Sequence, residues 1–157
     1  MRGFNALIRA HQVKKEYLAL VKGVLEKKQG TIRLALERTD SAKGAKMETG
    51  QGKESITHYR VVYSGQSMSL VRIQLETGRM HQIRAHFAAI GHPLLGDGRY
   101  GDFALNREAR KTLGLKRLFL HAAFLSFTWK GENIQVEREL PKELDLVLAQ
   151  VKSNPID

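Results

Sequence analysis

Between Leu75 and Gly101 the chain reads LETGRMHQIRAHFAAIGHPLLGDGRYG, and its punctuation limits the fold more than any other feature. An alternating apolar stretch runs up to about Thr77 and stops at Gly78. A helix is predicted from about Met80 to Ile90, with Gly91 in the C-terminal cap position and Pro93 preventing its continuation. HPLLGDGRYGDF can then only be a loop. One short helix, closed at both ends, therefore follows a strand and returns the chain through a glycine-rich loop. Three histidines, three arginines and five glycines gather in this run, which marks it as a place to look for chemistry.

The rest of the chain supplies mostly strands. KEYLALVKGVL predicts a strand over about Glu16 to Val24, and GTIRLALE a second. RTDSAKGAKMETGQGKES is polar and reads as a surface loop or an irregular hairpin. ITHYRVVY and SLVRIQLET flank SGQSM, whose Gly65 suits a hairpin turn. ALNREARKTLG predicts a charged helix stopped by Gly114. LFLHAAFLSFTW, the turn KGEN and IQVERELP predict another hairpin, and Pro141 opens a last helix through about Val151. Residues 1 to 11 read as the tail of a helix with Phe4, Leu7, Ile8 and His11 on one side. Strands joined by hairpins with no βαβ rhythm predict an α+β domain, a largely antiparallel mixed sheet with flanking helices.

At 157 residues with 42% hydrophobic and 27% charged, the chain suits one soluble domain. No apolar run reaches the roughly 20 residues of a membrane span, and MRGFNALIRAHQVKK has no apolar core of a secretory signal. The absence of cysteine removes disulfides and thiolate chemistry and fits the cytoplasm. Twenty-six Lys and Arg against 16 Asp and Glu leave a net charge of +10. That surplus favours a polyanion. No basic amphipathic helix supports a membrane surface, so nucleic acid is the expected partner.

A metal site is not supported, since His81 and His86 would diverge by about 140° on a helix and no HExxH pattern exists. ETGRMHQ matches neither the P-loop nor GxGxxG. A helix start carrying Arg79, His81, Gln82 and Arg84 fits an anion or a catalytic corner better, Arg84 offering a planar fork to carboxylate or phosphate. The residues alone leave two readings of Arg84 open: a functional fork, or a buried arginine paired with a structural aspartate.

TGRMHQIRAHFAAIGHPLLGDGRYG resembles the long signature of the RluA-type pseudouridine synthases: T-G-R-x-H-Q-I/L-R-x-H, then G-H-P-I/L-x-G-D, then Y-G. VKKEYLALVKG, residues 13–23, resembles the family's K-x-Y-x-A-x-V-x-G strand. KRLFLHAAFLSF, residues 116–127, resembles its R-L-x-L-H-A-x-x-L-x-F element and leans toward the RluC-type branch. The resemblance spans nearly the whole chain.

It implies a pseudouridine synthase-type fold and isomerisation of uridine to pseudouridine in RNA, here 23S ribosomal RNA, with no cofactor, no metal and no membrane, by a protein that is monomeric when complete. Arg84 matches the arginine that pairs with the catalytic aspartate, and Tyr17 the tyrosine that stacks on the target base. Arg79, His81, Gln82 and Lys15 are implied RNA contacts or scaffold, and Ile73 or Leu75 the apolar wall of the pocket or, the favoured single role, core. His121 reads as structural. The family's H-R-L-D segment, which carries the nucleophile, has no match: Asp40, Asp97, Asp102, Asp145 and Asp157 are the aspartates, and none follows His-Arg-Leu. Residues 1–157 are therefore expected to be a C-terminal portion of the catalytic domain, its sheet incomplete on the N-terminal side and inactive alone. A non-catalytic RNA-binding module is the second reading.

Overall fold

A computed structural model describes residues 6–7, 12–42 and 44–153. Seven strands form one sheet: β1 (Lys14–Lys22), β2 (Gln29–Ser41), β3 (Gly44–Thr49), β4 (Lys53–Ser64), β5 (Met68–Leu75), β6 (Leu120–Trp129) and β7 (Glu132–Glu137). Their order is β3-β2-β4-β5-β1-β6-β7, and every pairing is antiparallel, so the mixed sheet expected from sequence is antiparallel throughout the described residues. Three helices are delimited among the described residues of this α+β fold: α1 (Gln82–Ala89), α2 (Phe103–Thr112) and α3 (Lys142–Ser153). Ala6 and Leu7 are helical, and the rest of the helix expected over residues 1–11 lies outside the described residues.

The sheet is buried on both faces at its centre, because alternate residues of a strand point to opposite sides. Ala19 and Val21 of β1, with Val71 and Ile73 of β5, pack against Ile83 and Phe87 of α1. Leu20, Met68 and Leu70 face the other way, onto Ala109 and Leu113 of α2 and Leu144, Val147 and Val151 of α3. This two-sided burial is why LALV and SLVRI read as nearly continuous apolar runs. Each fully buried side chain such as Phe87 or Leu144 contributes about 1.5–3 kcal/mol.

The polar stretch after β2, expected as a loop or irregular hairpin, is a regular hairpin with Leu36 opposite Thr49 and Ser41 opposite Gly44. Two apolar residues decide this. Leu36 and Met47 are buried together with Ala85 of α1, which seats the hairpin on the helix. Gly52 lets β4 start close behind β2, since a Cβ there would collide with the Leu36 carbonyl.

Candidate active site

Where β1 begins and β5 ends, the sheet opens into a cleft of about 890 Å³. Tyr17 lies in it, between Ile73 of β5 and Ala122 of β6. The β1–β6 register shifts between Glu16 and Tyr17, an irregularity of the kind that re-aims a side chain next to a site. Burial raises the Tyr17 phenol pKa, so the ring remains neutral and aromatic at physiological pH. Lys15, Leu75, Thr77, Arg79 and His58 share the cleft wall with it.

The segment that carries Arg79 into the cleft is fixed from below by Gln82. Its Nε2 donates to the Ile56 carbonyl and to Thr57 Oγ1, both at 3.0 Å. Its Oε1 accepts from Thr77 Oγ1 at 2.8 Å and from the Arg79 backbone N–H at 3.0 Å. The bend therefore follows from one side chain bridging β4 to the turn. His81 takes the left-handed conformation (φ 51°), which delays the helix to Gln82, two residues beyond the expected start. A non-glycine residue held there costs of order 1–3 kcal/mol. The His81 ring is held by Tyr100, whose hydroxyl lies 3.1 Å from Nδ1 while accepting the Met47 N–H at 2.8 Å. Burial and the neighbouring charges of Arg84 and Arg99 lower its pKa.

Arg84 meets its carboxylate within the same signature. Its Nε and Nη2 donate to Asp97 Oδ2 and Oδ1, each at 2.8 Å, and the Tyr100 ring lies 5.0 Å from the guanidinium carbon. Asp97 is fully buried, and its Oδ1 also accepts the backbone N–H groups of Arg99 (2.8 Å) and Tyr100 (2.9 Å). Burial alone would raise its pKa; the guanidinium and the two N–H donors outweigh that and hold it below the usual carboxylate range. Asn106 of α2 clamps the loop, accepting from Gly96 N at 2.7 Å and donating to the Asp97 carbonyl at 2.8 Å. Gly96 (φ 76°) admits this turn, where a Cβ would strike the Arg117 carbonyl.

The residues anticipated from sequence thus separate. Lys15, Tyr17, Leu75 and Arg79 converge on the cleft. Gln82 and Ile73 do not reach it: Ile73 is fully enclosed in the core, and Gln82 is 2% exposed with its amide engaged on four protein groups. Of the two roles expected for each, Gln82 here has that of scaffold and Ile73 that of core. His81 and Arg84 stand beside Tyr100 rather than in the cleft lining. Asp97, Tyr100 and Asn106 were missed as partners; the Asp-Gly-Arg-Tyr spacing, which suits an aspartate accepting its own downstream N–H groups, was the available signal. His121 is structural in its contact, with Nε2 3.1 Å from the Arg138 carbonyl. No group of three or more metal-ligating side chains occurs among the described residues.

The model of the RNA pseudouridylate synthase family matches residues 1–89, more than half of the chain. The chain belongs to this family. It is 35% identical over 150 residues to ribosomal large subunit pseudouridine synthase D of Zymomonas mobilis, covering 92% of this chain and 47% of that protein. It is 34% identical over 158 residues to ribosomal large subunit pseudouridine synthase C of Escherichia coli K12, covering 98% and 50%. The solved structure of human RNA pseudouridylate synthase domain containing 4 superposes with a TM-score of 0.78 at 26% identity, covering 96% of this chain and 67% of that one. As a pseudouridylate synthase family member, the chain spans about half the length of the curated relatives it matches. No helix of the described residues is long and apolar enough to cross a membrane.

Proposed function

We propose that this chain forms the base-stacking and phosphate-gripping part of an RNA pseudouridine synthase that acts in the cytoplasm on a uridine of 23S ribosomal RNA. The observation that carries the reading is the placement of Tyr17 in a cleft flanked by Lys15 and Arg79. A neutral ring offers a flipped uridine a stacking surface, worth about 1–3 kcal/mol per base. The two cations stand ready for the phosphates that flank it. Ring and charge thus select an unpaired nucleotide together.

Arg84 holds Asp97 through two nitrogens, and its Nη1 makes no hydrogen bond among the described residues. A second carboxylate, the role the family signature implies, would be received at that nitrogen. The sequence contains no His-Arg-Leu-Asp segment to supply that carboxylate. The chain alone is therefore expected to bind RNA without isomerising it, and chemical mapping for pseudouridine after incubation with ribosomal RNA checks this. Turnover by the chain would overturn the assignment of the nucleophile.

The binding test compares a ribosomal hairpin carrying an unpaired uridine with the same hairpin lacking that base. The chain is expected to prefer the uridine several-fold, and Tyr17→Ala to erase the preference while retaining the salt-dependent affinity. Equal binding of both hairpins by the unaltered chain would remove Tyr17 from the site. The second reading, a non-catalytic RNA-binding module, is favoured by the same missing nucleophile and by the +10 charge. It predicts no pseudouridine even when an H-R-L-D-bearing partner segment is added.

A further inference from the structure

The sheet face that carries His58 and Gln74 holds an electrostatic arrangement that folding does not favour. His58 lies opposite Gln74 in the β4–β5 register, and both line the cleft. Two residues further along, on the same face, Arg60 lies directly opposite Arg72. The alternation is intact here, because the β4–β5 register shifts only beyond Val61. Like charges directly opposite one another on a sheet are destabilising.

The surroundings do not neutralise the pair. Arg72 Nη1 binds Glu16 Oε2 at 2.8 Å, but the other oxygen of Glu16 already takes Lys14 at 2.8 Å. One partly buried carboxylate thus serves two cations. Arg60 is exposed and has no ion-pair partner among the described residues, and its other cross-strand neighbour is Gln29. Glu16 is thus shared between Arg72 and the cleft-lining Lys14, Glu76 is held by His58 at 2.8 Å, and the arginine pair lies about 7 Å along the strands from the His58–Gln74 row.

We infer that Arg60 and Arg72 form a second phosphate-binding site, which takes the backbone of the RNA strand as it leaves the Tyr17 cleft across the outer face of β4 and β5. The inference rests on the RNA reading given above. A phosphate between two guanidiniums converts their repulsion into two attractions, and continuity with His58 and Gln74 ties the site to the same strand. Position favours RNA over an anionic membrane, because the arginine pair continues the His58–Gln74 row of the cleft wall, while the one exposed apolar neighbour on β4 among the described residues, Val62, is a single small side chain.

Arg60→Gln and Arg60→Glu make the test, since both substitutions are at an exposed position. RNA affinity is measured as a function of salt by fluorescence anisotropy, on a hairpin with a single-stranded extension of several nucleotides, and melting temperature is measured without RNA. Arg60→Gln is expected to weaken binding at least threefold and to reduce the log–log salt slope by about 0.7. Arg60→Glu is expected to weaken it further. Both variants should melt at or above the temperature of the unaltered chain, Arg60→Glu highest, because it exchanges a repulsion for an ion pair with Arg72. Affinity and stability moving in opposite directions is the signature of a ligand site.

RNA binding by the unaltered chain with no change of slope in Arg60→Gln would overturn the inference alone. A lowered melting temperature in both variants would overturn its premise, by making Arg60 a structural residue. Failure of the unaltered chain to bind RNA at all would overturn the RNA reading, and this site with it. Weakened binding to vesicles containing phosphatidylserine, with RNA binding unaffected, would assign the patch to a membrane instead.

Discussion

Replacing Arg84 by alanine tests the pairing at the centre of the signature. The substitution leaves the Asp97 carboxylate fully buried, with only the Arg99 and Tyr100 N–H groups to stabilise it. Breaking a buried pair by removing one partner typically costs about 3–5 kcal/mol. The lower end applies here, because the Arg84 side chain is 19% exposed and water can follow it into the gap. About 3 kcal/mol at about 2–4 °C per kcal/mol gives a melting temperature lower by about 6–12 °C. The pH dependence sharpens the expectation. In the unaltered chain the Asp97 pKa is lowered, so its contribution is complete above the unfolded carboxylate pKa near 4 and is lost as pH falls below it. Without the guanidinium, burial would set the Asp97 pKa above its unfolded value, so the variant's penalty would be greatest at neutral pH and relieved by protonation. Urea unfolding followed by circular dichroism at pH 7, 5 and 4 should show the gap between the two chains narrowing. Arg84→Ala with Asp97→Asn should be more stable at pH 7 than Arg84→Ala alone, since the amide still accepts the two N–H groups without a buried charge. A loss under about 1 kcal/mol, or a gap constant across that pH range, would refute the argument.

Two further predictions concern groups buried near the site. His86 is fully enclosed, with Nε2 3.3 Å from the Leu34 carbonyl and Nδ1 without a partner among the described residues, and burial lowers its pKa. The unfolded chain therefore binds the proton more readily, and stability is full above about pH 6.5 and falls as pH drops below it, by up to about 1.4 kcal/mol per pH unit. His86→Gln should flatten that limb of the urea midpoint against pH, and an unchanged slope would exclude His86 as its source. Gln82→Ala removes the bridge from β4 to the Thr77–Arg79 turn and should cost about 1–3 kcal/mol for the groups left unpaired. A thermal melt within error of the unaltered chain would show that water replaces it.

Where burial is one-sided or continuous, the strands are legible from sequence: LALV and SLVRI fall on β1 and β5, and the punctuation at Gly78, Gly91 and Pro93 brackets α1. β3 was not distinguished from a loop because only Met47 of its six residues is buried, and one apolar residue makes no alternation. The start of α1 was read two residues early for a related reason. Nothing local in RMHQ announces that the Gln82 amide will take the Arg79 N–H and hold His81 out of the helix. Tyr17, Lys15 and Arg79 could be placed at a site through the family signature, whereas the partner of Arg84 could not. A guanidinium specifies a carboxylate but not which one, and Asp97 becomes the answer only once the loop from Gly91 to Gly101 turns back on the helix.

That return explains why so long a signature is needed for so small a site. Asp97 directs its carboxylate to Arg84 and to two N–H groups of its own loop, Tyr100 reaches both His81 and the Met47 N–H, and Asn106 ties the loop to α2. Gln82 does the same for the turn before the helix. The polar groups of these residues are satisfied within the protein, so little of them is left for a ligand, and what they achieve is the rigidity of the elements they join. Lys15 and Arg79 line the same cleft as Tyr17, and their side-chain charges have no ion-pair partner among the described residues. The division is physical: a group whose hydrogen bonds are complete cannot recognise RNA without breaking them, while a cation with its solvation intact can exchange water and counterions for phosphate. On the RNA reading proposed above, recognition therefore falls to side chains that the fold positions but does not saturate.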